Sequence, residues 1–316
     1  RHIIDSYVGW PVDMVARRLV KKPVLVGRDA LDNRPMLDLR RPLERGIMKE
    51  GSEKDQEAVK EIVRHLISLA GLMQKGESTS KVRAVIGVPA EAFRVSRQNL
   101  RSTIDGIADT VMIVSEPFAV AYGMEALLHA LVIDIGAGTA DFCVMQGRYP
   151  TEEDQRTLPN AGDSIDDQLT KLIRERHPDA QFSIHMLREW KEKRSFVGEP
   201  KERVTVTVPI KGKATGIDIT EEMRAACESI VPPVCETMIT LLMKVEPEYQ
   251  DKVRNNIILA GGTSLIAGLP DVITKALNDL GGGRATVVTD PVFAGSDGSL
   301  AFAQGPTPSD WDKLSL

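Results

Sequence analysis

The stretch Leu131-Val132-Ile133-Asp134-Ile135-Gly136-Ala137-Gly138-Thr139-Ala140-Asp141 constrains this chain more than any other. An apolar strand ends in an acid, Asp134, and runs into a turn of small residues. A carboxylate at a strand end can hold a hydrated metal, and glycines let backbone amides close on phosphate oxygens, so the segment reads as a nucleotide phosphate loop. A dinucleotide-binding loop would open a helix here and carry a third glycine, but the sixth position counted from Gly136 is Asp141. The chain continues as Phe142-Cys143-Val144-Met145, a second strand, so the element is a strand–turn–strand phosphate hairpin. No G-x-x-x-x-G-K-[ST] run occurs, which removes the P-loop reading.

The rest of the sequence narrows the class. At 316 residues the chain is long enough for two lobes with separate cores, and its 42% hydrophobic and 27% charged content is that of a globular protein. A net charge of −5 gives no general attraction to nucleic acid, and the basic spots Arg17-Arg18, Lys21-Lys22 and Arg40-Arg41 are short. Cys143, Cys227 and Cys235 lack metal or disulfide spacing, which favours a reducing, cytoplasmic compartment. No membrane-length apolar stretch and no signal peptide are expected.

Strand-like runs at 84–88, 111–114, 131–135, 142–145, 204–208, 257–260 and 286–288 alternate with helical patterns near 53–75, 91–107, 116–128, 164–176, 185–195, 220–245 and 264–279, as in α/β proteins. Pro232-Pro233 should break the longest of these helices. Two passages are built alike, each a buried strand that ends in Gly or Pro before a helix: Ala84 to Pro89 and Ile257 to Gly262. They suggest a duplicated lobe, which needs two phosphate hairpins. Only the hairpin at Asp134 is present, and its twin is expected upstream of Arg1.

Taken in order, these motifs resemble the actin-like ATPase superfamily, which includes actin, MreB and the large heat-shock chaperones. The resemblance covers nearly the whole chain. Val26 to Ala30 and Leu37 to Leu43 look like the small outer part of lobe I. Ser115-Glu116-Pro117 to Gly123 resembles the first interlobe helix, residues 131–141 the second phosphate motif, and Leu259 to Ser264 the adenosine motif. Ala161 to Asp163 and Leu187 to Lys193 look like ribose and adenine contacts, and Asp290 to Ala301 the second interlobe connection. Arg174 to Pro178, Ser195 to Gly198, Glu248 to Gln250 and the Trp311 tail point to the magnetosome-filament branch rather than to MreB.

The resemblance implies an actin-like α/β fold with a mixed sheet in each of two lobes and a nucleotide cleft between them. Lobe I would take residues 1–130 plus 291–316, with an outer subdomain near 8–38, and lobe II residues 131–290, with an outer subdomain near 164–229. It implies ATP or ADP with Mg²⁺ as ligands, ATP hydrolysis, and a cytoplasmic, cytoskeletal head-to-tail homopolymer that organises magnetosomes through adaptor proteins, with no nucleic acid and no membrane insertion. A plasmid-segregation or cell-shape actin, and a non-polymerising kinase or chaperone ATPase, share the same motifs.

Asp134 would hold the hydrated Mg²⁺ through its waters, and Glu116 would orient the attacking water, for hydrolysis of a γ-phosphate needs charge neutralisation and alignment. The plainer role for Glu116 is a helix N-terminal acid before Pro117. Gly136, Ala137 and Gly138 would offer amides to phosphate, and Thr139 a hydroxyl. Gly162 and Asp163 would meet the ribose. Gly261-Gly262 is either a plain turn or, with Thr263 and Ser264 as N-cap, a phosphate-facing approach. Lys191 and Glu192 lie on a charged helix where a solvated face competes with nucleotide contact, and Glu189 and Lys193 form an i,i+4 pair. Asp166 reads as a helix cap. The five histidines have no ligand spacing, and Trp10, Trp190 and Trp311 read as packing residues.

Overall fold

The structure, a computed structural model, describes residues 1–48, 52–74, 77–78, 81–92 and 94–305. Trp311 lies outside the described residues. The chain divides into two compact units. One comprises Arg1–Val88 and Ala92–Val114 with the chain from Phe302, and the other Pro89–Glu91 with Ser115–Ala301.

In the first unit, Val8–Pro11 pairs antiparallel with both Leu25–Val26 and Leu37–Arg40. These strands are too short or too rich in Gly and Pro to show as apolar runs. Helix Glu53–Leu69 starts where the Ser52 hydroxyl accepts the Asp55 amide hydrogen, and it ends before the expected residue 75. Its Val59 and Ile67 pack with Met48, Val82, Ile104 and Val111. Strands Arg83–Val88 and Thr110–Ser115 form a second sheet.

The second unit carries a five-stranded sheet in the order Gln155–Leu158, Ala140–Gln146, Leu128–Ile135, Ile257–Ala260, Ala285–Val287. The first three run antiparallel and the last two join parallel to the central strand. Residues 130–135 and 140–145 are all buried, so both faces of the sheet are covered and the strands read as continuous apolar runs rather than as alternating ones. Register then fixes chemistry. Asp134 lies opposite Asp141 on one side and beside Ala260 on the other, which puts the hairpin next to Gly261-Gly262.

The expected break at Pro232-Pro233 is present: helices Thr220–Glu228 and Val231–Leu242 are separate, with the proline pair in the first turn of the second. Contrary to expectation, the stretch Thr220–Leu242, taken across both helices, is long and apolar enough to cross a membrane. Its Met223, Ala226, Cys227, Ile230, Val234, Met238 and Leu241 face the core of this unit, which accounts for that composition without a bilayer. The three cysteines are buried and unpaired by disulfides, and burial pushes the Cys143 thiol up to about 12.

Helix Glu116–Gly123 stops earlier than the pattern to 128 suggests, at a glycine. Gly123 and Gly298 of helix Ala294–Gln304 meet backbone to backbone: a Cβ built on Gly123 would lie 2.7 Å from the Gly298 Cα, and one on Gly298 only 1.8 Å from the Ala119 carbonyl oxygen. No side chain can enter that crossing without moving a helix. Gly298→Ala is therefore expected to destabilise the protein by about 3 kcal/mol in urea unfolding, whereas Gly216→Ala, whose Cβ would make ordinary contact at 3.6 Å, should change stability by less than about 1 kcal/mol. Equal effects would show that the helix crossing is not tight.

Candidate functional site

The hairpin tip is anchored by its carbonyls. The Gly136 carbonyl accepts the Thr263 hydroxyl at 2.7 Å and the Gly162 amide at 3.2 Å, and the Ala137 carbonyl accepts the Asp163 amide at 2.6 Å. In a planar trans peptide the N–H points opposite to the C=O. Holding these two carbonyls against residues 162–163 and 263 thus turns the amides of Ala137 and Gly138 the other way, at an exposed tip where neither meets an acceptor among the described residues. Two successive amides presented together form an anion-binding concavity.

The tip corrects part of the sequence reading. The Gly136 amide donates to the Thr139 carbonyl at 2.9 Å, so it closes the turn instead of facing a ligand. Thr139 directs its hydroxyl to the Asp141 carboxylate at 2.7 Å. The amides of Gly162 and Asp163 are committed to the hairpin. Ser264 is buried and its hydroxyl returns to the Gly261 carbonyl. Residues 262–265 form one 3₁₀ turn with no side-chain cap, so the expected N-cap is absent. Gly261 itself is indispensable to the approach. At φ +80° its Cβ would fall 2.3 Å from the Ile135 carbonyl oxygen and 2.4 Å from Asp134 Oδ1. Gly262 and Thr263 follow at the surface of the same turn, with Gly262 exposed.

Three acids, Glu116, Asp134 and Asp141, lie near enough to the hairpin to influence one another electrostatically. Burial, together with the nearby Asp141, pushes Asp134 up to about 7, and burial with Asp134 and Asp141 pushes Glu116 up to about 8. The macrodipole at the start of helix Glu116–Gly123 acts in the opposite direction and is worth about 1 kcal/mol, and burial with the two neighbouring acids outweighs it. No cation and no hydrogen-bond donor among the described residues engages the carboxyl of Glu116 or Asp134.

Asp141 is the residue that sequence reading missed. It is fully buried and accepts from the Ala90 amide at 2.7 Å, the Thr157 hydroxyl at 2.5 Å and the Thr139 hydroxyl. Burial raises its carboxyl, and these bonds work against that shift. Its signal was in plain view, as an acid inside the apolar strand Ala140–Gln146.

Asp166 is also reassigned. Helix Gly162–Arg176 has no side-chain cap. Asp166 is instead a buried charge that meets Arg188 Nε at 2.8 Å and Lys191 Nζ at 2.6 Å. Arg188 also holds Asp163 at 3.0 Å, and Lys191 donates to the Gly162 carbonyl at 2.8 Å. Lys191 is thus turned into the protein, while Glu192 is exposed. The expected Glu189–Lys193 pair forms at 2.6 Å, and Trp190 packs on Phe182.

Comparison with known proteins shows the family and the fold. The MreB/Mbl protein family model matches residues 27–303. The chain is 37% identical to the actin-like protein MamK of Paramagnetospirillum magneticum over 99% of its own length and 89% of that protein's, and 37% identical to MamK of Magnetospirillum gryphiswaldense over 99% and 86%. The solved MamK double helical filament superposes with a TM-score of 0.92 at 37% identity, covering 97% of this chain and 93% of that one. A non-polymerising MamK point mutant bound to AMPPNP superposes at 0.70, with 38% identity over 95% and 91%. The fold is accordingly the actin-like one, and the chain belongs to the MreB/Mbl family of actin-like proteins.

Proposed function

We propose that this protein is a Mg²⁺-dependent ATPase that polymerises head to tail into a cytoplasmic, cytoskeletal filament, and that the filament organises magnetosomes through adaptor proteins. The observation that carries the enzymatic part is the pairing of two outward amides, Ala137 and Gly138, with the buried carboxyl of Asp134 and the half-buried Glu116, neither of which meets a cation among the described residues. Assembly is supported by the similarity to MamK, solved as a double helical filament. Nucleotide is supported by the AMPPNP-bound relative.

The residues present fit a hydrated magnesium ion. Magnesium keeps several waters and takes one or two carboxylates, and among the described residues no cluster of three or more potential ligands forms a protein cage. Asp134 would hold it through water, and it would supply the positive charge that phosphoryl transfer requires. The amides of Ala137 and Gly138 bind phosphate oxygens. Glu116 in its ionised form would accept a hydrogen bond from the attacking water and orient it. Gly261 lets the 261–263 turn approach the nucleotide, and head-to-tail contacts that do not close on themselves extend the filament.

Two measurements test this reading. ATP with Mg²⁺ should drive an increase in light scattering, and Glu116→Ala should slow phosphate release by at least about 100-fold while filaments persist. Assembly that ignored nucleotide would overturn the mechanism. The acids also set a pH signature. Their folded-state values lie above the ordinary 4.5 and 3.8, so they contribute stability that is complete below about pH 4 and is lost as pH rises through about 7 and 8. Between pH 5 and pH 8.5 the ligand-free protein should lose at least about 1 kcal/mol more stability than Asp134→Asn does, measured by urea unfolding. Parallel curves would mean that the fold does not raise Asp134 above its ordinary value.

A further inference from the structure

Three residues are grouped against the trend of the chain. Val88 and Ala92 belong to the first unit, yet Pro89, Ala90 and Glu91 between them belong to the second. Strand Arg83–Val88 therefore runs directly into a short strap fastened to the five-stranded sheet. At the edge strand the Glu91 amide donates to the Thr157 hydroxyl at 2.9 Å, and the Thr157 amide donates back to Glu91 Oε2 at 2.8 Å. Arg156 stands 3.6 Å from the same carboxylate. Asp141, the cross-strand partner of Thr157, holds the other end of the strap. Its Oδ1 accepts the Ala90 amide at 2.7 Å and the Thr157 hydroxyl at 2.5 Å, while its Oδ2 accepts the Thr139 hydroxyl at 2.7 Å. Thr139 ends the phosphate turn, and its carbonyl takes the Gly136 amide that closes it. One fully buried carboxylate thus joins the turn to the strap.

We infer that Asp141 is a positioning residue that couples occupancy of the phosphate turn to the seating of the Pro89–Glu91 strap. The inference rests on the nucleotide-binding reading above. A ligand held on the Ala137 and Gly138 amides restrains the turn, and with it the Thr139 hydroxyl, which has a single hydrogen and gives it to Asp141. Should the turn move and that bond break, a buried acceptor is left unmet where no water replaces the partner, which is costly. The carboxyl then turns from its other partners or takes a proton, and a neutral carboxyl accepts more weakly than a carboxylate. Either change loosens its hold on Ala90. The strap is covalently continuous with the first unit at both ends, so its seating carries the state of the turn into that part of the chain.

Coupling between two sites is read as a change at one when the other is filled. The test is amide hydrogen exchange of peptides spanning residues 88–92, with and without saturating ADP and Mg²⁺, at a protein concentration where light scattering does not rise. Pro89 has no amide hydrogen, so the signal within the strap is that of Ala90 and Glu91. In the unmodified chain ADP should slow their exchange about fivefold or more. Thr139→Val removes the donor and should bring the ratio with and without ADP close to one, whereas Thr139→Ser, which keeps the hydroxyl, should preserve the response. A merely structural role for the bond would speed exchange equally in both states and leave the ratio as it was, which overturns the coupling. If Thr139→Val does not fold, Asp141→Asn, which has one acceptor oxygen in place of two, is measured instead with the same outcomes. Failure of the unmodified chain to displace a fluorescent ADP analogue would overturn the nucleotide reading and the coupling with it. ADP that binds without altering strap exchange overturns the coupling alone.

Discussion

The rest of the site depends on the antiparallel register that sets Asp134 opposite Asp141 inside a sheet covered on both faces. Directly opposed residues share a face, and like charges in that position repel. Burial then disfavours the ionised form of each. The structure treats the two acids differently. Asp141 receives three hydrogen bonds, from the Ala90 amide and the Thr139 and Thr157 hydroxyls, whereas neither Asp134 nor Glu116 receives one among the described residues. One carboxylate is built into the sheet, and the other two face one another's field with their charge unmet.

The tip of the hairpin follows from the same register. Since Asp134 also pairs beside Ala260, the chain leaving that strand at Gly261 passes within van der Waals distance of Ile135, and only a residue without Cβ can do so. Thr263 thereby reaches the Gly136 carbonyl and joins the amides of Gly162 and Asp163 in holding the turn from behind. Two segments distant from the hairpin in sequence thus converge on two of its peptide groups. The amides that remain, at Ala137 and Gly138, owe their direction to what their carbonyls do.

Much of this was legible in the sequence. The continuous apolar runs at 131–135 and 142–145 gave away the central strands because a doubly covered sheet permits no alternation, and Gly136 to Thr139 between them could only be a tight turn. Pro232-Pro233 marked a helix boundary for a local steric reason. What could not be read were bonds that depend on tertiary approach. The Gly136 amide, the Thr139 hydroxyl and the Ser264 hydroxyl all look like ligand donors in sequence and are all committed within the protein. Asp166 has the appearance of a cap because it is an acid near a helix start. Its partners Arg188 and Lys191 come from a separate helix, whose own sequence is that of a charged surface. Strands such as Leu25–Val26 escaped for a different reason, since two residues carry no periodicity.

The acids also set a relation between stability and ligand. Leaving buried carboxyls without partners lowers the stability of the free protein at neutral pH, because the unfolded chain releases those protons and the folded one retains them. Any cation complex that binds the folded state beside Asp134 removes part of that deficit, and stabilises the fold by mass action as well. A sheet that satisfied all three acids, as it satisfies Asp141, would be more stable alone and would have less to gain from a ligand. On the proposed reading, the charge left unmet at Asp134 and Glu116 among the described residues is a cost that the core carries, in keeping with the general opposition between stability and function.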